Sequence, residues 1–269
     1  MIGVAASDLQ PPQSYRNQNT AAFSQQLTVF CDFDGPIVDV SNRYYKTYQL
    51  ALADTQAAYQ AQDMSLPIHR LEKQQFWNMK QERVPDVEIA MRSGLQGKQI
   101  DFFLGRVVEI VNQPALLTND KLQPGVRWAL ATLHSQGVRL VLVTLRCEAQ
   151  ATQILRNYGL TRLFSGIYGT CDRDAAYRNQ AELKTQLLAK AIAEQSLLVK
   201  RPISSWMVGD TEADILAGQA LSIPTLALTC GIRSHGYLKQ FHPTGIHTCL
   251  LAAAHYVLEK TTTLVGKQV

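Results

Sequence analysis

Residues 27–39 read Leu-Thr-Val-Phe-Cys-Asp-Phe-Asp-Gly-Pro-Ile-Val-Asp, and few folds accommodate that order. The apolar run Leu27 to Phe30 is long enough for one buried parallel strand, and it stops at two carboxylates, Asp32 and Asp34, followed by Gly35-Pro36. Side chains two apart on a strand lean the same way, so both acids gather at the strand's carboxyl end. A pair this close cannot both ionise cheaply unless a cation or a shared proton relieves them. The stretch therefore predicts a metal site, an acid/base pair, or both. Gly35 lets the backbone turn away where a side chain would crowd a bound ligand.

The rest of the chain predicts what surrounds this strand. Asp39 and Ser41 offer N-cap chemistry to a helix through Tyr44, Tyr48 and Leu52. From there to about residue 117 the pattern is helical: a helix that Pro67 can start, then Asp86 to Arg92 and Lys98 to Val111, the last two separated by Ser93-Gly94-Leu95-Gln96-Gly97. After Pro124-Gly125, helices alternate with apolar strands: helix 126–136, strand 138–145, helix 148–158, strand 167–170, helix 181–195, strand 204–209, helix 211–220 and strand 224–229. That alternation predicts an α/β fold whose parallel sheet is covered on both faces. The expected organisation is a tail over 1–26, a Rossmann-like core from 27–43 and 118–269, and a helical insertion over 44–117.

Composition narrows the function classes. With 46% hydrophobic and 18% charged residues the chain is an ordinary globular sequence of 269 residues. The net charge of +4 comes from scattered Lys and Arg, which argues against nucleic acid and for an anionic small molecule. No run approaches the length of a membrane span, so no membrane partner is expected. Five cysteines with no CxxC spacing argue against a disulfide framework and a zinc site, and point to a reducing cytoplasm.

Strands ending in polar residues recur, with Asp32 after the first, Thr144 near the end of another and Asp210 after a later one. In open parallel sheets ligands bind at the carboxyl ends of strands, so these residues should converge. Asp210 and Asp214, one helical turn apart in Gly209-Asp210-Thr211-Glu212-Ala213-Asp214, can face one point, although helix capping alone would also explain them. Beside Asp32 and Asp34 they make a carboxylate cluster that calls for a hard cation such as Mg²⁺.

Taken together, Asp32-Phe33-Asp34-Gly35, Val143-Thr144, Lys184 and Gly209 to Asp214 resemble the four ordered motifs of the haloacid dehalogenase superfamily of phosphohydrolases, of the phosphoglycolate phosphatase kind. The resemblance spans about residues 27–235. It implies a Rossmann-like core with a mobile helical cap, Mg²⁺ as cofactor and a small phosphorylated metabolite as substrate. Asp32 would be the nucleophile that becomes an aspartyl-phosphate. Asp34 would protonate the leaving oxygen and then activate water, with its backbone carbonyl on the metal. Thr144 and amides near it, at Leu145 and Gly35, would hold phosphoryl oxygens. Lys184 would offset the charge of Asp32 and phosphate, and Asp210 and Asp214 would secure the metal.

An aspartate at position 34 favours phosphoryl transfer over dehalogenation, which has no alkoxide to protonate. Pro36 and Leu145-Arg146 depart from the superfamily's commonest residues, which bears on the substrate. The cap should select it, with Trp77, Lys80, Arg83, Arg92, Ser93 and Arg146 as candidates. A phosphomutase resembling beta-phosphoglucomutase, and a catalytically weak binder of a phosphorylated ligand, are the competing readings. The six histidines show no ligand spacing.

Overall fold

The computed structural model describes residues 26–198 and 203–265 of the chain. The tail expected over 1–26 lies outside the described residues except for Gln26, which already belongs to a strand. In order, the elements are β1 (Gln26–Cys31), β2 (Val38–Asp39), α1 (Ser41–Gln60), α2 (Lys73–Gln81), α3 (Asp86–Arg92), α4 (Lys98–Val111), α5 (Pro114–Leu117) and β3 (Lys121–Leu122). Next come α6 (Val126–Ser135), β4 (Arg139–Cys147), α7 (Glu148–Asn157), β5 (Gly166–Thr170), α8 (Ala175–Arg178), α9 (Ala181–Leu197) and β6 (Ile203–Gly209). The chain continues through α10 (Glu212–Ala220), β7 (Thr225–Leu228), α11 (His235–Lys239), β8 (Gly245–His247) and α12 (Leu250–Val265).

Six strands form one parallel sheet in the order β5-β4-β1-β6-β7-β8. The fold is the Rossmann-like α/β core with a helical cap that the motifs implied. Alternate strand residues face opposite layers, as a period of two requires. Phe30, Val141, Val143 and Met207 pack on Leu188 and Ala191 of α9 and Ala217 of α10. Val29, Leu140, Leu142 and Val208 belong to the larger core with Leu130 and Leu133 of α6 and Ala253 and Val257 of α12. Strand order reverses at β1, between β4 and β6, and a crevice opens there beyond the strand ends.

Helices α1 to α5 leave the core through β2 and return through β3, and these two short strands pair antiparallel, Val38 with Leu122 and Asp39 with Lys121. The insertion has its own aromatic core, in which Tyr48 stacks on Phe76 at 4.9 Å and meets Phe103 edge-on at 6.2 Å. One expected boundary is corrected: Pro67 starts no helix. The segment around it runs beside Ser93, whose carbonyl accepts from the His69 N–H at 2.9 Å. Helix α2 starts at Lys73 because Glu72 and Gln75 form a reciprocal cap, with Gln75 Oε1 accepting from the Glu72 N–H at 3.0 Å.

Phe30 is fully buried at the centre of the sheet. Phe30→Ala should lower the unfolding free energy by about 3–5 kcal/mol in urea titration; a loss under about 1 kcal/mol would contradict this packing.

Candidate active site

Asp32 follows β1 directly, held in line by its N–H, which donates to the Val208 carbonyl at 2.9 Å. The chain then folds sharply back, with the Gly35 N–H on Val38 O and the Ile37 and Val38 N–H groups on Phe33 O. Gly35 has φ +96°, and a Cβ there would lie 2.1 Å from Asp210 Oδ2. A Cβ on Gly231, across the same carboxylate, would lie 1.9 Å from that oxygen. Two glycines thus let the backbone close around Asp210 from both sides.

Asp210 follows β6 directly and Asp214 sits in the first turn of α10. The Asp214 Oδ2 accepts from the Thr211 N–H at 3.1 Å and from its hydroxyl at 2.8 Å, a capping box that fixes both residues. From α9, the buried Lys184 Nζ lies 2.7 Å from Asp32 Oδ1 and 2.7 Å from Asp214 Oδ1. One oxygen each of Asp32, Asp210 and Asp214 lies within 4.8 Å of the others. Asp210 Oδ2 accepts from the Ile232 N–H at 2.6 Å, whereas its Oδ1 is buried without a hydrogen-bond partner among the described residues.

Three carboxylates facing one ammonium leave a surplus of negative charge, and the proton affinities reflect it. Burial pushes Asp32 up to about 7, with Lys184 pulling it down and Asp214 pushing it up. Burial, then repulsion from Asp32 and Asp214, drives Asp210 well above the usual carboxylate range. For Lys184, burial works against the charge, and Asp214 and Asp32 outweigh it, so its proton is held more tightly than usual. A divalent cation fits this set: the donors are all oxygen, one is orphaned, and the surplus charge is what such an ion would balance.

Asp34, two residues from Asp32, stands in a different environment. Its Oδ1 lies 2.8 Å from Arg146 Nε, and its Oδ2 accepts from Arg146 NH2 and Arg43 NH2, both at 3.1 Å. Thr144, Leu145 and Arg146 lie where the register of β4 against β5 shifts, between Val143 and Cys147. The Thr144 hydroxyl accepts from the Arg146 N–H at 3.1 Å. Arg146 is buried, and its proton is held more tightly than usual because Asp34 and Asp120 overcome the cost of burial. Its NH1 has no hydrogen-bond partner among the described residues.

A cleft gathers Asp32, Asp34, Thr144, Leu145, Arg146, Lys184 and Asp210. Lys80 and Arg83 line it from the helical insertion, with Tyr44, Tyr177 and Arg233. Lys80 is buried against Asp86 at 2.8 Å, and burial lowers its pKa despite that partner. Arg83 and Arg233 share Glu212, at 3.1 and 2.8 Å. Asp214 lies behind Lys184 and Gly35 beneath Asp210. Trp77 and Arg92 do not line the cleft: Trp77 meets Tyr44 edge-on at 6.4 Å, and Arg92 pairs on the surface with Glu88. Ser93 is buried on the Tyr48 hydroxyl at 2.8 Å. The sequence reading missed Arg43, Asp120, Glu212 and Arg233, all of them in or beside the site.

Residues 29–228 match the model of the haloacid dehalogenase-like hydrolase family. Over 119 residues the chain is 29% identical to pyrophosphatase PpaX of Halalkalibacterium halodurans, a stretch covering 44% of this chain and 52% of the relative. Over 120 residues it is 32% identical to a phosphoglycolate phosphatase of Cereibacter sphaeroides, covering 45% and 50%. The chain thus spans about half the length of the curated relatives it matches. A haloacid dehalogenase-like hydrolase from Streptococcus pneumoniae superposes with a TM-score of 0.62 at 20% identity, covering 87% of this chain and 98% of that one. Among the described residues no helix is long and apolar enough to cross a membrane.

A carboxyl whose pKa rises on folding contributes stability that is complete below its ordinary value and is lost as pH climbs through the folded value. For Asp32 that window runs from 3.8 to about 7. Without divalent cations the melting temperature should therefore fall between about pH 5 and about pH 8, and an added divalent cation should raise it more at the higher pH. Equal shifts at both pH values would contradict the electrostatics of the cluster.

Proposed function

This chain belongs to the haloacid dehalogenase-like hydrolases, and on that premise we propose that it is a Mg²⁺-dependent phosphatase acting on a small phosphorylated metabolite through an aspartyl-phosphate on Asp32. One observation carries the reading: Lys184 grips Asp32 and Asp214 together, beside the orphaned oxygen of Asp210. An anionic nucleophile can approach an anionic phosphate only where positive charge offsets the repulsion, and this arrangement supplies it.

Asp32 attacks phosphorus, the bond to the leaving oxygen breaks, and Asp34 gives that oxygen a proton. Asp34 then takes a proton from water, whose oxygen attacks the aspartyl-phosphate and frees Asp32 and inorganic phosphate. Lys184 fixes the Asp32 carboxylate through Oδ1 and counters the charge gathering beside it. Thr144 and the amides around Leu145 offer donors to phosphoryl oxygens, with Arg146 beside them in the cleft; the Gly35 N–H is already committed to Val38 O. Bound Mg²⁺, held by Asp32 and Asp210, with the Asp34 carbonyl and with Asp214 directly or through water, would neutralise negative charge on the phosphoryl group and favour ionised Asp32.

Helices α1 to α5 act as the cap, bringing Lys80 and Arg83 over the site to meet the leaving group. Phosphate esters with a second anionic group, of the phosphoglycolate or sugar-phosphate type, suit a cleft lined by these cations. The phosphoglycolate phosphatase name of one relative supports the same class.

Phosphate release from a panel of phosphorylated metabolites, with and without Mg²⁺, tests the reading. Wild-type release should require the cation, and Asp32→Asn should reduce it by at least about a thousandfold while keeping its fold by circular dichroism. Normal turnover in that variant would refute the nucleophile. Asp34→Asn should cost roughly a hundredfold or more on an alkyl phosphate but far less on 4-nitrophenyl phosphate, whose leaving group hardly needs a proton. Equal losses on both would refute the acid.

A further inference from the structure

Asp34 belongs to a closed ring of four charged side chains, and two of them, Arg43 and Asp120, take no part in the chemistry proposed above. Arg43 Nε lies 2.8 Å from Asp120 Oδ1, and Asp120 Oδ2 lies 2.5 Å from Arg146 NH2. Arg146 and Arg43 both close on Asp34. The signs alternate around the ring and the charges balance. Side-chain exposure is 1% for Arg43, 0% for Asp120 and 2% for Arg146, against 16% for Asp34. Asp34, the member that must meet the leaving oxygen, is the most exposed of the four.

Arg43 uses all three guanidinium nitrogens. Beyond Asp120 and Asp34, its NH1 donates to the Val111 carbonyl at 3.1 Å and to Asn112 Oδ1 at 3.0 Å. Its position runs against local preference, since the first turn of α1 favours acids and this basic side chain is buried. The long-range partners outweigh that preference. Together with them Arg43 joins both places where the chain passes between sheet and cap: Arg43 enters α1 just after β2, while Val111 ends α4 and Asn112 and Asp120 lie between α4 and β3.

We propose that Arg43 and Asp120 are positioning residues that aim the Asp34 carboxylate at the leaving oxygen. A planar guanidinium fixes a carboxylate in direction as well as distance, which an ammonium cannot do. Arg43 meets Asp34 directly, and Asp120 acts through Arg43 and Arg146. Because the ring includes both crossings, the aim of Asp34 is tied to the seating of the cap.

This inference rests on Asp34 being the acid, and the experiment separates the two claims. The quantity read is the ratio of kcat on the best alkyl phosphate of the panel to kcat on 4-nitrophenyl phosphate, for wild type, Asp34→Asn, Arg43→Lys and Asp120→Asn. A partly unfolded preparation lowers both rates equally and leaves the ratio unchanged, so misfolding cannot imitate the effect. Arg43→Lys and Asp120→Asn should each lower the ratio at least about tenfold, in the same direction as Asp34→Asn, because a small misplacement of a proton donor is costly only where a proton is needed. A wild-type ratio in both variants, alongside a lowered ratio in Asp34→Asn, would overturn the positioning role and leave the acid intact. A wild-type ratio in Asp34→Asn, or a wild type that turns over neither ester, would overturn the acid and this inference with it.

Discussion

A buried lysine between two buried aspartates is the interaction on which the rest of the structure depends. Removing carboxylates from water costs several kcal/mol each unless charge and hydrogen bonds compensate. Lys184 meets Asp32 and Asp214 at 2.7 Å each, and the Thr211 cap takes the other oxygen of Asp214. Compensation stops short of complete, because Asp210 adds a third carboxylate with one oxygen unpartnered among the described residues. The parallel sheet supplies the geometry: β1 and β6 are neighbours, so Asp32 and Asp210 emerge side by side. Helix α9, packed on β4 and β5, carries Lys184 in from beneath.

Asp32 and Asp34 are two residues apart, yet they occupy opposite electrostatic settings. Asp32 lies among carboxylates with one ammonium, while Asp34 lies between two guanidinium groups. Separate environments let identical side chains take separate tasks. In the proposed mechanism one becomes a nucleophile once a cation relieves its neighbours, and the other is held in place to carry a proton. Arg146 comes to Asp34 from the stretch of β4 where the register against β5 shifts.

Much of the fold was legible in the sequence because its signals are local. Apolar runs marked β1, β4 and β6, and capping residues marked α1 and α10 to within a few residues. Pro67 misled because a proline permits a helix start without requiring one, and the Glu72–Gln75 pair was the stronger signal. The paired strands β2 and β3 are two residues each, too short for any periodicity. Asp32, Thr144, Lys184 and Asp210 were recognisable from their order. Arg43 and Asp120 were not, since the two lie 77 residues apart in sequence and neither falls in a motif. A basic residue in the first turn of α1 was the one available hint. Trp77 and Arg92 were plausible from their chemistry alone, and neither lines the cleft: Trp77 packs on Tyr44 and Arg92 pairs with Glu88.

The central claim is that Asp32 carries the phosphoryl group. It is tested most directly by rapid acid quench of Asp34→Asn with 4-nitrophenyl phosphate and Mg²⁺, followed by mass spectrometry of the intact chain and its peptides. This variant should still be phosphorylated by a leaving group that needs no proton, but should be slow to activate the water that removes the phosphate. A phosphorylated chain with the modification mapped to Asp32 is the predicted result. Turnover with no covalent phosphate, or with phosphate on any other residue, would contradict the account.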